Sequence, residues 1–170
     1  MSQKTFCLIV LLISANRMTG CINPPLQPNE YMQYVTDSAN GLQKTIVHRT
    51  VYFSVQYEPL DYVCLLEKSG KVNINELKEL RTEFDGLFHF NFSIASNDHR
   101  SDPLRLSDFG MEYEEVLYSL AFQADKDFQI IYGTDTLPCV VHHFECTHGL
   151  RSRVELVLGF REKSFTENDS

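Results

Sequence analysis

The run CVVHHFECTH at positions 139–148 holds two cysteines and three histidines. These are the side chains from which tetrahedral zinc sites are built, so metal chemistry would be sought here first. Strand geometry limits which of them can meet. On an extended chain His142, Cys146 and His148 share one face and Cys139, His143 and Glu145 the other, and residues four apart are separated by about 13 Å. A zinc site of His142, Cys146 and His148 therefore needs a sharp turn that folds His148 back. The plainer expectation is that Val140, His142, Phe144 and Cys146 point inward, with His142 hydrogen-bonded and His143 and Glu145 in water. On that reading no cofactor is required, and zinc is the alternative.

Two other groups carry reactive side chains. Asp98, His99 and Ser101 are the residue types of a hydrolase triad. Near-adjacent loop residues rarely face one another in the order that proton relay needs, and the chain lacks a Gly-x-Ser-x-Gly elbow. A polar loop is expected. Glu112, Glu114 and Glu115 form the densest carboxylate group, and at the start of a helix they complement its dipole as a solvated face. No phosphate-binding glycine loop, zinc-protease helix signature or dinucleotide fingerprint occurs. No catalytic residue is assigned.

The elements that would position these groups follow from periodicity. Asn29 opens a short helix through Tyr31, Tyr34 and Val35. A period of two then begins: Val51, Phe53, Val55 and Tyr57 alternate with polar partners, and Thr45 to His48 pair back on them as a hairpin. Another apolar run, Tyr62 to Leu66, ends at the turn signal Ser69-Gly70. Asn73 with Glu76 three positions on forms a capping signature for a helix carrying Ile74, Leu77, Leu80 and Phe84 and ending at Gly86. Leu87 to Ile94 is a strand with Phe88, Phe90, Phe92 and Ile94 on one face. A second clear helix runs from Ser107 or Asp108 through Leu120. Strands at Phe128 to Tyr132, Leu137 to Cys146 and Arg153 to Phe160 close the chain. Their short connections suit antiparallel neighbours, so the expected fold is α+β, an antiparallel sheet of about five to six strands with two or three helices.

Composition bounds the rest. A chain of 170 residues with 43% hydrophobic side chains supports one domain with a true core. The boundaries expected are 1–20 for a signal peptide, 21–28 for a lipidated cysteine and proline-rich tether, 29–162 for a single globular domain and 163–170 for a flexible tail. The formal charge is −8, and removing residues 1–20 takes away Lys4 and Arg17 but no acid. Such a charge repels phosphate backbones, so no nucleic-acid partner is expected.

Lys4 and the apolar stretch FCLIVLLISA at 6–15 have the form of a secretory leader, being about half the ~20 residues a membrane-spanning helix requires. Ile13-Ser14-Ala15 would serve as a conventional cleavage site. Met18-Thr19-Gly20-Cys21 resembles a bacterial lipobox, in which the cysteine sulfur takes diacylglycerol and becomes the first residue of the mature chain. The lipobox is the preferred reading, because Asn23-Pro24-Pro25-Leu26-Gln27-Pro28 beyond it makes a stiff spacer suited to holding a domain off a bilayer. Cys21 would be the lipid anchor. Met18, where Leu is commoner, and Arg17 depart from the lipobox pattern.

With Cys7 lost and Cys21 acylated, Cys64, Cys139 and Cys146 remain. Cys139 and Cys146 cannot bridge within one straight strand, because bridged Cα atoms lie within about 7 Å. Cys64 could pair with either, or all three could stay reduced.

The lipobox-like leader, the aromatic strands and the run Tyr132-Gly133-Thr134-Asp135-Thr136-Leu137-Pro138-Cys139, continuing to His143-Phe144-Glu145, resemble small lipoproteins of the Bacteroidota. That resemblance implies an envelope location and no particular activity. In those lipoproteins an acidic stretch after the anchor often directs surface export. None follows Cys21, which favours the periplasmic face of the outer membrane. The expected role is a non-enzymatic, lipid-anchored domain whose sheet edge or polar loop binds an envelope protein. The alternative is a metal-dependent or hydrolytic enzyme using His142, Cys146 and His148.

Overall fold

The computed structural model describes residues 26–106, 110–145 and 151–161. The chain begins with α1 (Pro28–Thr36), a hairpin of β1 (Gln43–His48) and β2 (Val51–Glu58), then α2 (Leu60–Glu67) and α3 (Ile74–Phe84). It continues through β3 (Leu87–Ser96), α4 (Pro103–Leu106), α5 (Tyr113–Phe122), α6 (Ala124–Asp127), β4 (Gln129–Tyr132), β5 (Asp135–Glu145) and β6 (Arg153–Arg161). All six strands join one antiparallel sheet in the order β1-β2-β3-β6-β5-β4, curled into a half-barrel. The α+β class and antiparallel sheet of about five to six strands expected from the sequence are observed, with six strands. The helices are more numerous than the two or three expected, because two of the six are single turns of four residues.

Period-two patterning sorts the sheet into two faces. Register pairs Phe88, Phe90, Phe92 and Ile94 of β3 with Phe160, Leu158, Leu156 and Val154 of β6, and the latter three are buried at 2%, 0% and 3% exposure. Val116 of α5, Leu104 of α4 and Ala124 of α6 complete this inner core. A fully buried Leu of this kind contributes about 1.5–3 kcal/mol by leaving water, so this face is the main source of stability.

The outer face is polar, with Gln56, Glu58, His89 and Asn91 in register, and the three N-terminal helices lie against part of it. Gln56 Nε2 donates to the Val35 carbonyl at 3.0 Å, and His89 Nε2 lies 3.3 Å from the Phe84 carbonyl. Those helices have a core of their own in Val35, Tyr62, Cys64, Leu65 and Leu80. Arg81 of α3 clamps Asp61 of α2 through two hydrogen bonds, Nε at 2.6 Å and Nη2 at 2.7 Å.

Local sequence explains the helix starts. Asn73 Oδ1 accepts from the Asn75 and Glu76 amides, each at 3.0 Å, and the Glu76 carboxylate accepts from Asn73 N at 3.0 Å, the expected capping box. The second predicted helix begins later than expected, at Tyr113, and is preceded by the separate turn α4. Gly110 stands at φ +67°, outside the right-handed helical region, and the Glu112 amide donates to the Glu115 carboxylate at 3.3 Å. The glutamate cluster is thus a helix start, as the dipole argument required. Among the described residues no helix is long and apolar enough to cross a membrane.

Candidate functional site

The histidine–cysteine run does not lie as an undistorted strand would place it. Cys139 opposes Phe160 while Val141 already opposes Gly159, so β5 carries one extra residue at this point, a bulge. A bulge reverses the alternation beyond it. Cys139 and His142 therefore share the inner face with Leu137 and Phe144, whereas Val140 is turned outward at 40% exposure. This corrects two expectations: Cys139 does not share a face with His143 and Glu145, and Val140 does not point inward. The extra residue fits because Gly159 stands opposite. A Cβ built on Gly159 would meet Val141 Cβ at 3.2 Å.

His142 then reaches α5, where its Nε2 lies 3.2 Å from the Ala121 carbonyl. The ring ties the sheet to the end of a helix, as the hydrogen-bonded reading expected. Cys139 is buried, its Sγ donates to the Val141 carbonyl at 3.2 Å, and burial pushes its thiol pKa up. Cys64 is buried in the helical layer, its pKa also raised first by burial. Both are free thiols, so Cys64 and Cys139 do not bridge. Cys146 and His148, the other two zinc candidates, and Cys21, the lipidation candidate, lie outside the described residues. Among the described residues no three His, Cys, Asp or Glu side chains gather as a metal site would require.

The Asp98-His99-Ser101 loop is a turn. Asp98 Oδ1 accepts from the Arg100 and Ser101 amides, each at 2.9 Å, and Oδ2 from the Ser101 hydroxyl. The Ser101 hydroxyl bond, followed by those from the amides, holds the Asp98 pKa well below the usual carboxylate range. His99 stands at φ +54° inside this turn and its amide donates to the Ser96 carbonyl at 3.3 Å.

The feature that periodicity did not reveal is a groove of about 400 Å³ on the inner face, at the end of the sheet where β2 finishes and β3 begins. It is lined by Phe88 and Phe90 from β3, Leu137 from β5, Tyr57 from β2 and Ile130 and Tyr132 from β4. Asp135, the first residue of β5, also lines it. In sheet order β2 and β4 are separated by three strands, which in a flat sheet would put them roughly 19 Å apart. They line one groove only because the sheet curls.

The rings are set by their neighbours. Tyr57 and Phe90 lie with centroids 5.2 Å apart, and Phe90 meets Phe160 edge-on at 5.7 Å. Phe92 is capped by Phe128 at 5.0 Å, just beyond α6. The helices therefore cover the sheet as far as Phe92, and the aromatic strip beyond it lines the groove. Alternation in the sequence placed Tyr57, Phe88 and Phe90 on one face of each strand. It carried no signal for the curl that brings Tyr132 and Asp135 to them.

Compared with protein-family models, curated proteins and solved structures, the chain gives no match.

Proposed function

We propose that the chain is a lipid-anchored protein of the bacterial cell envelope, tethered through Cys21 to the periplasmic face of the outer membrane, whose globular domain binds a small, largely apolar molecule without transforming it. The groove carries this reading. Its volume of about 400 Å³ falls within the ~300–1,000 Å³ typical of small-molecule sites, and an apolar lining with a few polar groups at the rim is their usual composition. Among the lining residues, Tyr57, Tyr132 and Asp135 are those that carry polar groups. The anchor rests on the leader, the Thr19-Gly20-Cys21 sequence and the proline spacer. His142 is engaged in tying β5 to α5, Cys139 in a hydrogen bond within β5 at the bulge, and Asp98 in closing its own turn.

The chain contains no tryptophan, so Phe88→Trp introduces a single fluorophore in the groove lining. Titration of folded Phe88→Trp protein with apolar probes such as naphthylamines should give a saturable blue shift of its emission. Unchanged emission across such probes, with a far-ultraviolet spectrum matching the parent, would remove the binding reading. Intact mass of the protein extracted from bacterial membranes tests the tether separately, and a mature chain that begins elsewhere or carries no acyl mass at Cys21 would end it.

A further inference from the structure

Resting on the reading of Cys21 as the lipid anchor, we propose that the domain sits directly on the bilayer, with Leu26, Val72, Ile74 and Leu77 set into the lipid headgroup layer. The apolar stripe of α3 runs through Ile74, Leu77, Leu80 and Phe84, yet Leu80 alone of these is buried, and Ile74 at its start stands 75% exposed. The domain's own packing leaves Ile74 outside. It is not solitary there. Leu26, itself 50% exposed, lines with Pro28, Val72, Ile74 and Leu77 a hollow of about 500 Å³ where the chain enters α1. Single exposed apolar residues are ordinary on a protein surface, whereas a contiguous group marks a place that meets a second apolar phase.

The length of the tether selects that phase. Of residues 21–28, expected from the sequence to form the anchor and spacer, Leu26 already lines the hollow and Pro28 opens α1, so only 22–25 separate the anchor from the domain. The five steps from Cys21 to Leu26 span at most about 18 Å even when fully extended. A globule of this size has a radius of gyration of about 14 Å and hence a radius of about 18 Å. The Leu26 end can therefore rise no higher than the middle of the domain, and it stays on the half that faces the membrane. Contact removes Leu26 and Ile74 from water, the gain that draws an amphipathic helix into the interface.

The charges around the hollow are compatible with that seat. Glu30 and Glu76 accept from the Gln27 and Asn73 amides, each at 3.0 Å, and Asp61 is paired with Arg81 at 2.6 Å. Lys71 and Lys78, next in sequence to Val72 and Leu77, are exposed, and side chains of their length can lay their stems on apolar surface and reach lipid phosphates.

The chain contains no tryptophan, so Ile74→Trp and Tyr118→Trp each install a single fluorophore. Tyr118, 57% exposed, belongs to α5 on the opposite face of the sheet. Acylated protein purified from bacterial membranes is reconstituted into vesicles of phosphatidylethanolamine and phosphatidylglycerol, with or without bromine on the acyl chains near the headgroups. Bromine quenches tryptophan only at close range. Ile74→Trp emission should fall at least about twofold in the brominated vesicles, and Tyr118→Trp emission by less than about one-fifth. Adding Leu26→Glu to Ile74→Trp should at least about halve the quenching, and both positions are exposed enough for the fold to tolerate the changes.

Intact mass keeps the anchor and the seat apart. With acyl mass at Cys21 confirmed, unquenched Ile74→Trp emission, equal quenching of Tyr118→Trp, or quenching unaffected by Leu26→Glu would each overturn the seat and leave the anchor standing. A mature chain without acyl mass at Cys21 would remove the anchor, and the seat with it.

Discussion

Tyr113→Phe removes one oxygen from a junction on which the placement of α5 depends. Asp102 is 8% exposed, and its carboxylate accepts from Tyr113 Oη at 2.7 Å and from the Leu104 amide at 3.0 Å. Arg105 lies 3.7 Å from the same carboxylate and sits over the Tyr113 ring at 3.8 Å. The Arg105 ion pair is largely exposed on its cationic side and contributes under about 1 kcal/mol. The cation–ring contact survives the substitution, because phenylalanine keeps the ring. What is lost is a hydrogen bond to a buried carboxylate, which costs about 1.5–3 kcal/mol, and the partial exposure of Tyr113 argues for a value near 2 kcal/mol. For a domain of this size that loss lowers Tm by roughly 6–10 °C. Urea denaturation followed by far-ultraviolet circular dichroism measures it, since there is no tryptophan to report. Combined with Asp102→Asn in a double-mutant cycle, the pair should couple by at least about 1 kcal/mol. A loss below about 0.5 kcal/mol for Tyr113→Phe, or simple additivity with Asp102→Asn, would show that this bond does not hold α5 in place.

Two further substitutions test the sheet. Glu58 is 9% exposed on the outer face, among Tyr62 of α2, His89 of β3 and Glu155 of β6, and burial first, then Glu155, raises its pKa above 4.5. A carboxyl with a raised folded pKa favours the native state while protonated and loses that contribution as pH climbs from the free value through the folded one. Glu58→Gln should therefore flatten the decline of stability over that window and leave the protein at least as stable as the parent at neutral pH, and an unchanged slope in thermal melts against pH would contradict the assignment. Gly159→Ala should destabilise by about 1–3 kcal/mol, because its new Cβ meets Val141 Cβ at 3.2 Å and Leu87 Cδ1 at 3.4 Å, and Val141→Gly in the same chain should recover part of the loss. Failure of Val141→Gly to restore any stability in denaturant melts would mean that the bulge is not what requires glycine there.

Local patterning wrote the elements of this fold into the chain. Strands with alternating Val51, Phe53, Val55 and Tyr57, or Phe88, Phe90, Phe92 and Ile94, have one face that must leave water, and the structure buries Val51 and Ile94 and packs Phe53, Phe88, Phe90 and Phe92 against the core, while Val55 stays 39% exposed. The capping box at Asn73 and Glu76 and the turn at Gly133, where φ is +61°, were equally legible, since each depends on groups a few residues apart. Tyr62 to Leu66 was ambiguous because a short apolar run suits either a buried strand or a buried helix, and packing against α1 and α3 made it helical.

The site was decided at longer range. One extra residue in β5, opposite a glycine in β6, moved Cys139 to the face of His142, and no window of local sequence states where a strand will bulge, because that depends on the partner across the ladder. The groove depends on curvature accumulated over several strands, which brings Tyr57 and Tyr132 together from opposite sides of the sheet. Residue type and period fix which side chains face the core, since those are properties of neighbours along the chain. Which of them meet, and where a space is left among them, is set by how twist and register add up across the whole sheet, and that only the tertiary structure decided.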